Sequence, residues 1–171
     1  IDLSSWDAHQ EHQNVAMVFY SLVYEGLVGE DSQGNIMPGL ATEWTQSDDA
    51  LEFTLREGVT FHDGTPFDAE VVKANVEKVK NGPFPPTANF LRPIESVEVI
   101  DPTHVRFNLT GPAPALLKNL QRFAGLMISP KAFAALDQGP VGTGPWQYNA
   151  AESVAPSKYV FDVNPNYWDK S

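Results

Sequence analysis

The strongest constraint on this chain is a recurring pattern: short alternating apolar segments fold back around tight polar turns. Leu27 to Ile36 reverses through Asp31-Ser32-Gln33-Gly34-Asn35. Trp44 to Gln46 and Leu51 to Leu55 flank Ser47-Asp48-Asp49-Ala50, and Ile94 to Ile100 and Thr103 to Leu109 flank Asp101-Pro102. A period of two buries one face of a strand, and partners joined by so few residues pair antiparallel. Between the second and third hairpins the period changes to that of a helix. Asp68 caps it, Glu70 sits in its first turn, and Val72, Val76 and Val79 line one face. Lys78 and Lys80 suit the negative end of its dipole, and Asn81-Gly82-Pro83 stops it. Hairpins interspersed with helices make the class α+β rather than a doubly wound α/β sheet.

The remaining segments fit that class. Asn14 to Gly26 reads as a helix capped by Asn14, with Val15, Val18, Phe19, Leu22 and Val23 at helical spacing. Pro83 to Pro86 reads as a loop leading to Phe90-Leu91. Ala113 to Phe123 has helical character, Leu126 to Ile128 reads as a short strand, and Ser129-Pro130 opens a brief helix through Leu136. Strands follow at about Trp146 to Asn149 and Tyr159 to Val163. Trp44 and Phe53 are placed to pair across the second hairpin and pin its register.

Composition removes whole classes of function. A net charge of -11 opposes nucleic acid, whose binding relies on basic residues at phosphates. It opposes anionic membrane surfaces for the same reason. The longest apolar run, Val15 to Tyr20, falls far short of the ~20 residues a membrane helix needs. The absence of cysteine excludes disulfides, thiolate catalysis and Cys-based zinc sites.

No catalytic pattern emerges. His9 and His12 are three apart and would share a helix face, but no spacing fixes a third ligand; solvated loop histidines are the simpler reading. His62-Asp63 looks like half a dyad, yet Asp63-Gly64 already serves as a turn. Gly142-Thr143-Gly144 lacks the third glycine and the lysine of a phosphate cradle, and Pro145 removes an amide donor. No Gly-x-Ser-x-Gly elbow is present. The reading is a non-enzyme with no metal site and no cofactor.

Longer blocks are more informative. In order they are Tyr24-Glu25-Gly26-Leu27-Val28, Met37-Pro38-Gly39-Leu40-Ala41-Thr42-Glu43-Trp44 and Phe53-Thr54-Leu55-Arg56-Glu57-Gly58-Val59. Then follow Phe61-His62-Asp63-Gly64-Thr65-Pro66-Phe67, Ser129-Pro130-Lys131-Ala132, Val141-Gly142-Thr143-Gly144-Pro145-Trp146 and Asn164-Pro165-Asn166-Tyr167-Trp168. Together they resemble the family 5 extracellular solute-binding proteins, the peptide, nickel and related receptors of bacterial ABC importers. The blocks themselves read as scaffold signatures, not as the binding site.

The resemblance implies a partial periplasmic binding protein type II-like fold. Residues 1–35 would open the base lobe, 36–130 would form a small inserted domain, and 131–171 would return to the base lobe. The flanks are more acidic per residue than residues 36–130, which agrees with that division. Family members run to several hundred residues and bind solute between two closing lobes. The second large lobe would therefore be missing, and this chain would be a fragment, a truncation or one half of a split protein. One wall of a cleft should bind weakly or not at all. The resemblance implies small peptides as solute, with nickel or another non-peptide solute as the alternative. A small hydrolase using His62 and Asp63 is the rival from a different class. By position, His12, Gln13 and Asn14 and the loop containing Phe84 and Phe90 lie where relatives approach the ligand. The implied partners are an ABC permease and the missing C-terminal lobe or a partner chain, with no nucleic acid. The implied location is the periplasm or the extracytoplasmic face of a bacterial membrane.

Overall fold

The computed structural model describes residues 5–10 and 14–170; His12 and Gln13 lie outside them. The chain runs α1 (Asn14–Val23), β1 (Val28–Glu30), β2 (Ile36–Pro38), β3 (Ala41–Gln46), β4 (Ala50–Leu55), α2 (Ala69–Asn81), α3 (Pro85–Phe90), β5 (Ile94–Asp101), β6 (His104–Leu109), α4 (Leu116–Asn119), β7 (Trp146–Tyr148) and β8 (Phe161–Val163). All three hairpins form. Strands β3-β4-β6-β5 make one antiparallel sheet, and β1-β2 and β7-β8 are separate two-stranded ribbons. Trp44 pairs with Phe53 as expected, and Phe53 pairs on its other side with Val105.

Helix α2 covers one face of the four-stranded sheet, packing on β5 and β6. The Asp68 carboxylate accepts from the Val71 amide at 3.0 Å, which satisfies an amide the helix leaves open. Val72, Val76 and Val79 are buried against Leu51, Phe53, Val105 and Phe107. Each such side chain contributes roughly 1.5–3 kcal/mol when removed from water, so this interface holds the central half of the chain together.

A second apolar cluster joins the two ends of the chain. Trp6, Tyr20, Val23 and Tyr24 pack with Phe123, Leu126, Ile128 and Leu136. An aromatic chain extends it onto β7 and β8: Trp6 meets Tyr148 at 4.8 Å between centroids, and Phe19 meets Tyr159 at 5.3 Å.

Local expectations fail where tertiary contacts replace regular pairing. Asn14 is the first residue of α1, not its cap, and the helix ends at Val23. Val18, expected on the buried face, is exposed; Val23, expected there, is buried, joined by Ala16 and Tyr20. Part of the Pro83–Phe90 loop is the helix α3, whose prolines occupy the first turn, where a missing amide costs nothing. Helicity in Ala113–Phe123 shrinks to the single turn of α4, and Pro130–Ala132 forms one tight turn. Leu126–Ile128 is not a strand. Its backbone is satisfied by a Gly26–Leu126 bridge, by the Met127 amide donating to the Glu25 carbonyl, and by the buried Asn75 side chain. Asn75 accepts from the Ile128 amide at 3.0 Å and donates to the Ile128 carbonyl at 2.9 Å.

Four of the sequence blocks meet at Gly142-Thr143-Gly144. The His62 amide donates to the Gly142 carbonyl, and His62 Nε2 and Asn164 Nδ2 both reach the Gly144 carbonyl at 3.0 Å. The Gly144 amide donates to the Val23 carbonyl. A Cβ on Gly142 would stand 2.0 Å from the Val23 carbonyl oxygen, so the approach requires glycine. The Thr143 hydroxyl donates to Glu25 at 2.7 Å, and the same carboxylate accepts from Tyr167 Oη and Trp168 Nε1, both at 2.9 Å. Arg56 lies 3.9 Å over the Trp168 ring. Burial raises the Glu25 carboxyl above its usual range, against the opposing pull of its three donors.

Candidate functional site

Residues 7–10, just ahead of His12, Gln13 and Asn14, touch α3, which lies in the Phe84–Phe90 segment expected near ligand. The Thr87 hydroxyl donates to the His9 carbonyl at 2.6 Å, which ties α3 to residues 7–10. Between them lies a cavity of about 130 Å³ lined by Asp7, His9, Lys78, Pro83, Phe84 and Phe133, among others.

Its floor is a charged triad. Lys78 reaches it from the last turn of α2, where Asn75 and Lys78 interrupt the apolar face on the side towards Asp7 and Ile128. Lys78 Nζ donates to Asp7 Oδ1 at 2.8 Å and Oδ2 at 2.6 Å, and to His9 Nδ1 at 3.3 Å. Asp7 also accepts from the His9 amide and from Gln10 Nε2. The opposite ring nitrogen of His9, Nε2, donates to the Leu126 carbonyl at 2.8 Å. That bond fixes the tautomer and leaves Nδ1 free to accept from Lys78. Burial, reinforced by the Lys78 charge, lowers the His9 imidazole to about 4. Burial pushes the Asp7 carboxyl upwards, but its hydrogen bond and charge pairing with Lys78 and its contacts with His9 hold it below the ordinary value. The triad is therefore an ion pair beside a neutral imidazole, with every donor of the ammonium engaged.

Of the residues expected at the ligand, Phe84 lines this cavity and Asn14 opens α1. Phe90 ends α3 with its ring half exposed, away from the cavity. Sequence reasoning missed Asp7, His9, Lys78 and Phe133. His9, read as a solvated loop residue, is buried. Lys78, read as a partner of the helix dipole, is bound to Asp7. The available signal was the break in the α2 stripe at Asn75 and Lys78: polar residues on a buried face need partners.

His62 and Asp63 do not form a dyad. His62 Nε2 faces the Gly144 carbonyl, while Asp63 accepts from the Ser129 hydroxyl at 2.6 Å and the Thr65 amide. A wider, shallow groove of about 450 Å³ lies along β3 and β4, bordered by Glu43, Glu52, Ile100 and His104, apart from both expected segments. Among the described residues, no helix is long and apolar enough to cross a membrane.

Comparisons with known proteins agree with this architecture. Residues 35–171 match the family described as bacterial extracellular solute-binding proteins, family 5 Middle. The chain is 33% identical over 177 residues to the glutathione-binding protein GsiB of Escherichia coli O6:K15:H31, covering 98% of this chain and 34% of that protein. It resembles the crystal structure of NikA from Brucella suis in complex with Fe(III)-EDTA (TM-score 0.87, 33% identity), covering 99% of this chain and 35% of that one. It also resembles DppA from Helicobacter pylori in complex with the peptide STSA (TM-score 0.81, 27% identity), covering 98% and 38%. The chain thus spans about a third of the length of these relatives, with the partial α+β fold of the periplasmic binding protein type II-like class. The match is to solute-binding proteins of ABC importers rather than to enzymes. This chain belongs to the bacterial extracellular solute-binding proteins of family 5.

Proposed function

We propose that this chain forms one wall of the solute cleft in a receptor of a bacterial ABC importer, and that the solute is a small peptide. The observation that carries the peptide reading is the 33% identity to a glutathione-binding protein across 98% of the chain, glutathione being a tripeptide. The likeness to DppA with its bound peptide supports it. In this reading residues 7–14 and 82–91 face the solute, with His12, Gln13, Asn14, Phe84 and Phe90 as contacts. Residues 1–35 and 131–171 belong to the base lobe, and 36–130 form an inserted domain centred on the sheet and α2. The exposed, register-paired Trp146 and Val163 on β7-β8 fit a surface that the rest of the receptor covers. The receptor works outside the cytoplasmic membrane with an ABC permease. A metal chelate is the second reading, favoured by equal identity to NikA, which was solved with Fe(III)-EDTA.

Native mass spectrometry separates the two. A receptor containing this chain is mixed with a di- to pentapeptide pool, glutathione, and Ni²⁺ with L-histidine. The peptide reading expects a bound peptide mass. Capture of the nickel–histidine complex with no peptide overturns it.

A further inference from the structure

Trp6, Asp7, Ala8 and His9 are buried, yet residues 5–10 belong to no helix or strand, so their backbone needs partners from elsewhere. Side chains of three helices supply them. From α1, Tyr20 Oη donates to the Ser5 carbonyl at 2.6 Å and Tyr24 Oη to the Trp6 carbonyl at 2.8 Å. From Asp7 onwards the grip passes to α2 and α3. Lys78 of α2 donates to both Asp7 oxygens, and Thr87 of α3 donates to the His9 carbonyl at 2.6 Å. The His9 ring in turn donates to the Leu126 carbonyl. Thr87 lies in the 82–91 segment but is 1% exposed, with its hydroxyl turned to His9, so it is closed to any solute. Lys78 directs its ammonium at Asp7 and His9.

We infer that Lys78 and Thr87 are positioning residues for solute binding: from α2 and α3 they hold residues 7–10, the stretch that leads into the solute-facing His12, Gln13 and Asn14, and they act without touching solute. Both helices belong to the proposed inserted domain, which thereby serves as the buttress of a wall built by the base lobe. A stretch without regular pairing is ordered only as well as its side-chain anchors hold it. With an anchor removed, that ordering must take place on binding, and its cost is subtracted from affinity. The inference rests on the reading above that residues 7–14 face a peptide.

The test uses a receptor containing this chain, with Kd for tri-alanine and for glutathione measured by titration calorimetry, and amide hydrogen exchange of the unliganded receptor read by mass spectrometry. Thr87→Val removes the donor to His9 at nearly constant volume. It should weaken binding about tenfold and speed exchange in residues 5–10, and Thr87→Ser, which keeps the hydroxyl, should restore both. The double variant Asp7→Asn with Lys78→Met separates positioning from stability. It removes the tether without leaving a buried charge, so unfolding stability returns close to that of the parent while affinity stays about tenfold low. A purely structural role would restore the two together. The double variant also decides the matter if Thr87→Val does not fold. Asp68→Ala, which uncaps the far end of α2, lowers stability but leaves Kd within about twofold. Circular dichroism confirms that each variant is folded. If the parent binds neither tri-alanine nor glutathione, the peptide reading falls and the inference falls with it. If the parent binds and the folded Thr87→Val and double variants bind as tightly as it does, the positioning inference alone is refuted.

Discussion

Replacing Lys78 by Met should abolish the loss of stability that this chain suffers as pH falls from 7.5 to 5. In the parent, Lys78 Nζ sits 2.6 Å from Asp7, with the two side chains 19% and 6% exposed. Removing one partner of a buried pair costs about 3–5 kcal/mol, and the residual exposure of Lys78 favours the lower end. A loss of about 3 kcal/mol at pH 7.5 is expected. His9 sets the pH dependence. Its folded value of about 4 lies below the ordinary 6.5, so between those values the unfolded chain binds a proton that the folded chain refuses. The parent therefore loses stability as pH falls through this window, by about 2 kcal/mol at pH 5. Asp7 is held below 3.8, so its contribution persists until the pH falls lower still. In Lys78→Met the cation that opposes His9 protonation is gone, and Asp7 Oδ1 lies 3.8 Å from His9 Nδ1. His9 then takes up a proton in the folded state and replaces the missing charge. The gap between parent and variant should shrink from about 3 kcal/mol at pH 7.5 to about 1 kcal/mol at pH 5. Urea unfolding followed by tryptophan fluorescence at both values reads this directly. Adding Asp7→Asn to Lys78→Met should recover most of the loss, because no unpaired charge remains. A loss under about 0.5 kcal/mol at pH 7.5, or the same loss at both pH values, would refute the reasoning.

The scaffold makes four further predictions. Glu25→Ala removes the shared acceptor of Thr143, Tyr167 and Trp168; it should cost about 3 kcal/mol in urea unfolding and speed proteolysis near Tyr167. A variant as stable and protease-resistant as the parent would show that this carboxylate does not anchor the segment. Because burial raises Glu25, its folded form binds a proton more readily than the unfolded chain. That group's contribution is therefore full below its unfolded value and falls as pH rises through the raised one, so Glu25→Gln should flatten the slope just above pH 4.5. Gly142→Ala should lower the melting temperature by several degrees, since its Cβ would overlap the Val23 carbonyl; an unchanged melt would mean the loop shifts freely. Asp68→Ala should cost about 1 kcal/mol through the lost cap of α2, measured in the same urea titration.

The fold was legible where it is local. Polar turns and alternating segments specified the hairpins, and Asp68 with the valine stripe specified α2, because each signal lies within a few residues of the structure it causes. Leu126–Ile128 defeated that logic. Its backbone partners are Asn75, Glu25 and Gly26, far away in the chain, so an apolar run without a neighbouring strand passed for one. The site was half legible. Similarity of position pointed to Phe84, whereas the Asp7–His9–Lys78 triad depends on a contact spanning 71 residues that no local pattern encodes. His9 illustrates the limit: beside a run of polar residues it reads as solvated, and only the fold places the Leu126 carbonyl and Lys78 against its two nitrogens.

The central claim is that residues 7–14 and 82–91 form a wall that touches a bound peptide. Photo-crosslinking tests it most directly, with a tripeptide bearing a diazirine side chain bound to a receptor containing this chain, followed by peptide mapping. The account predicts attachment within residues 7–14 and 82–91, suppressed by excess unlabelled tripeptide. Competable attachment confined to the groove along β3 and β4, with none at those two segments, would contradict it.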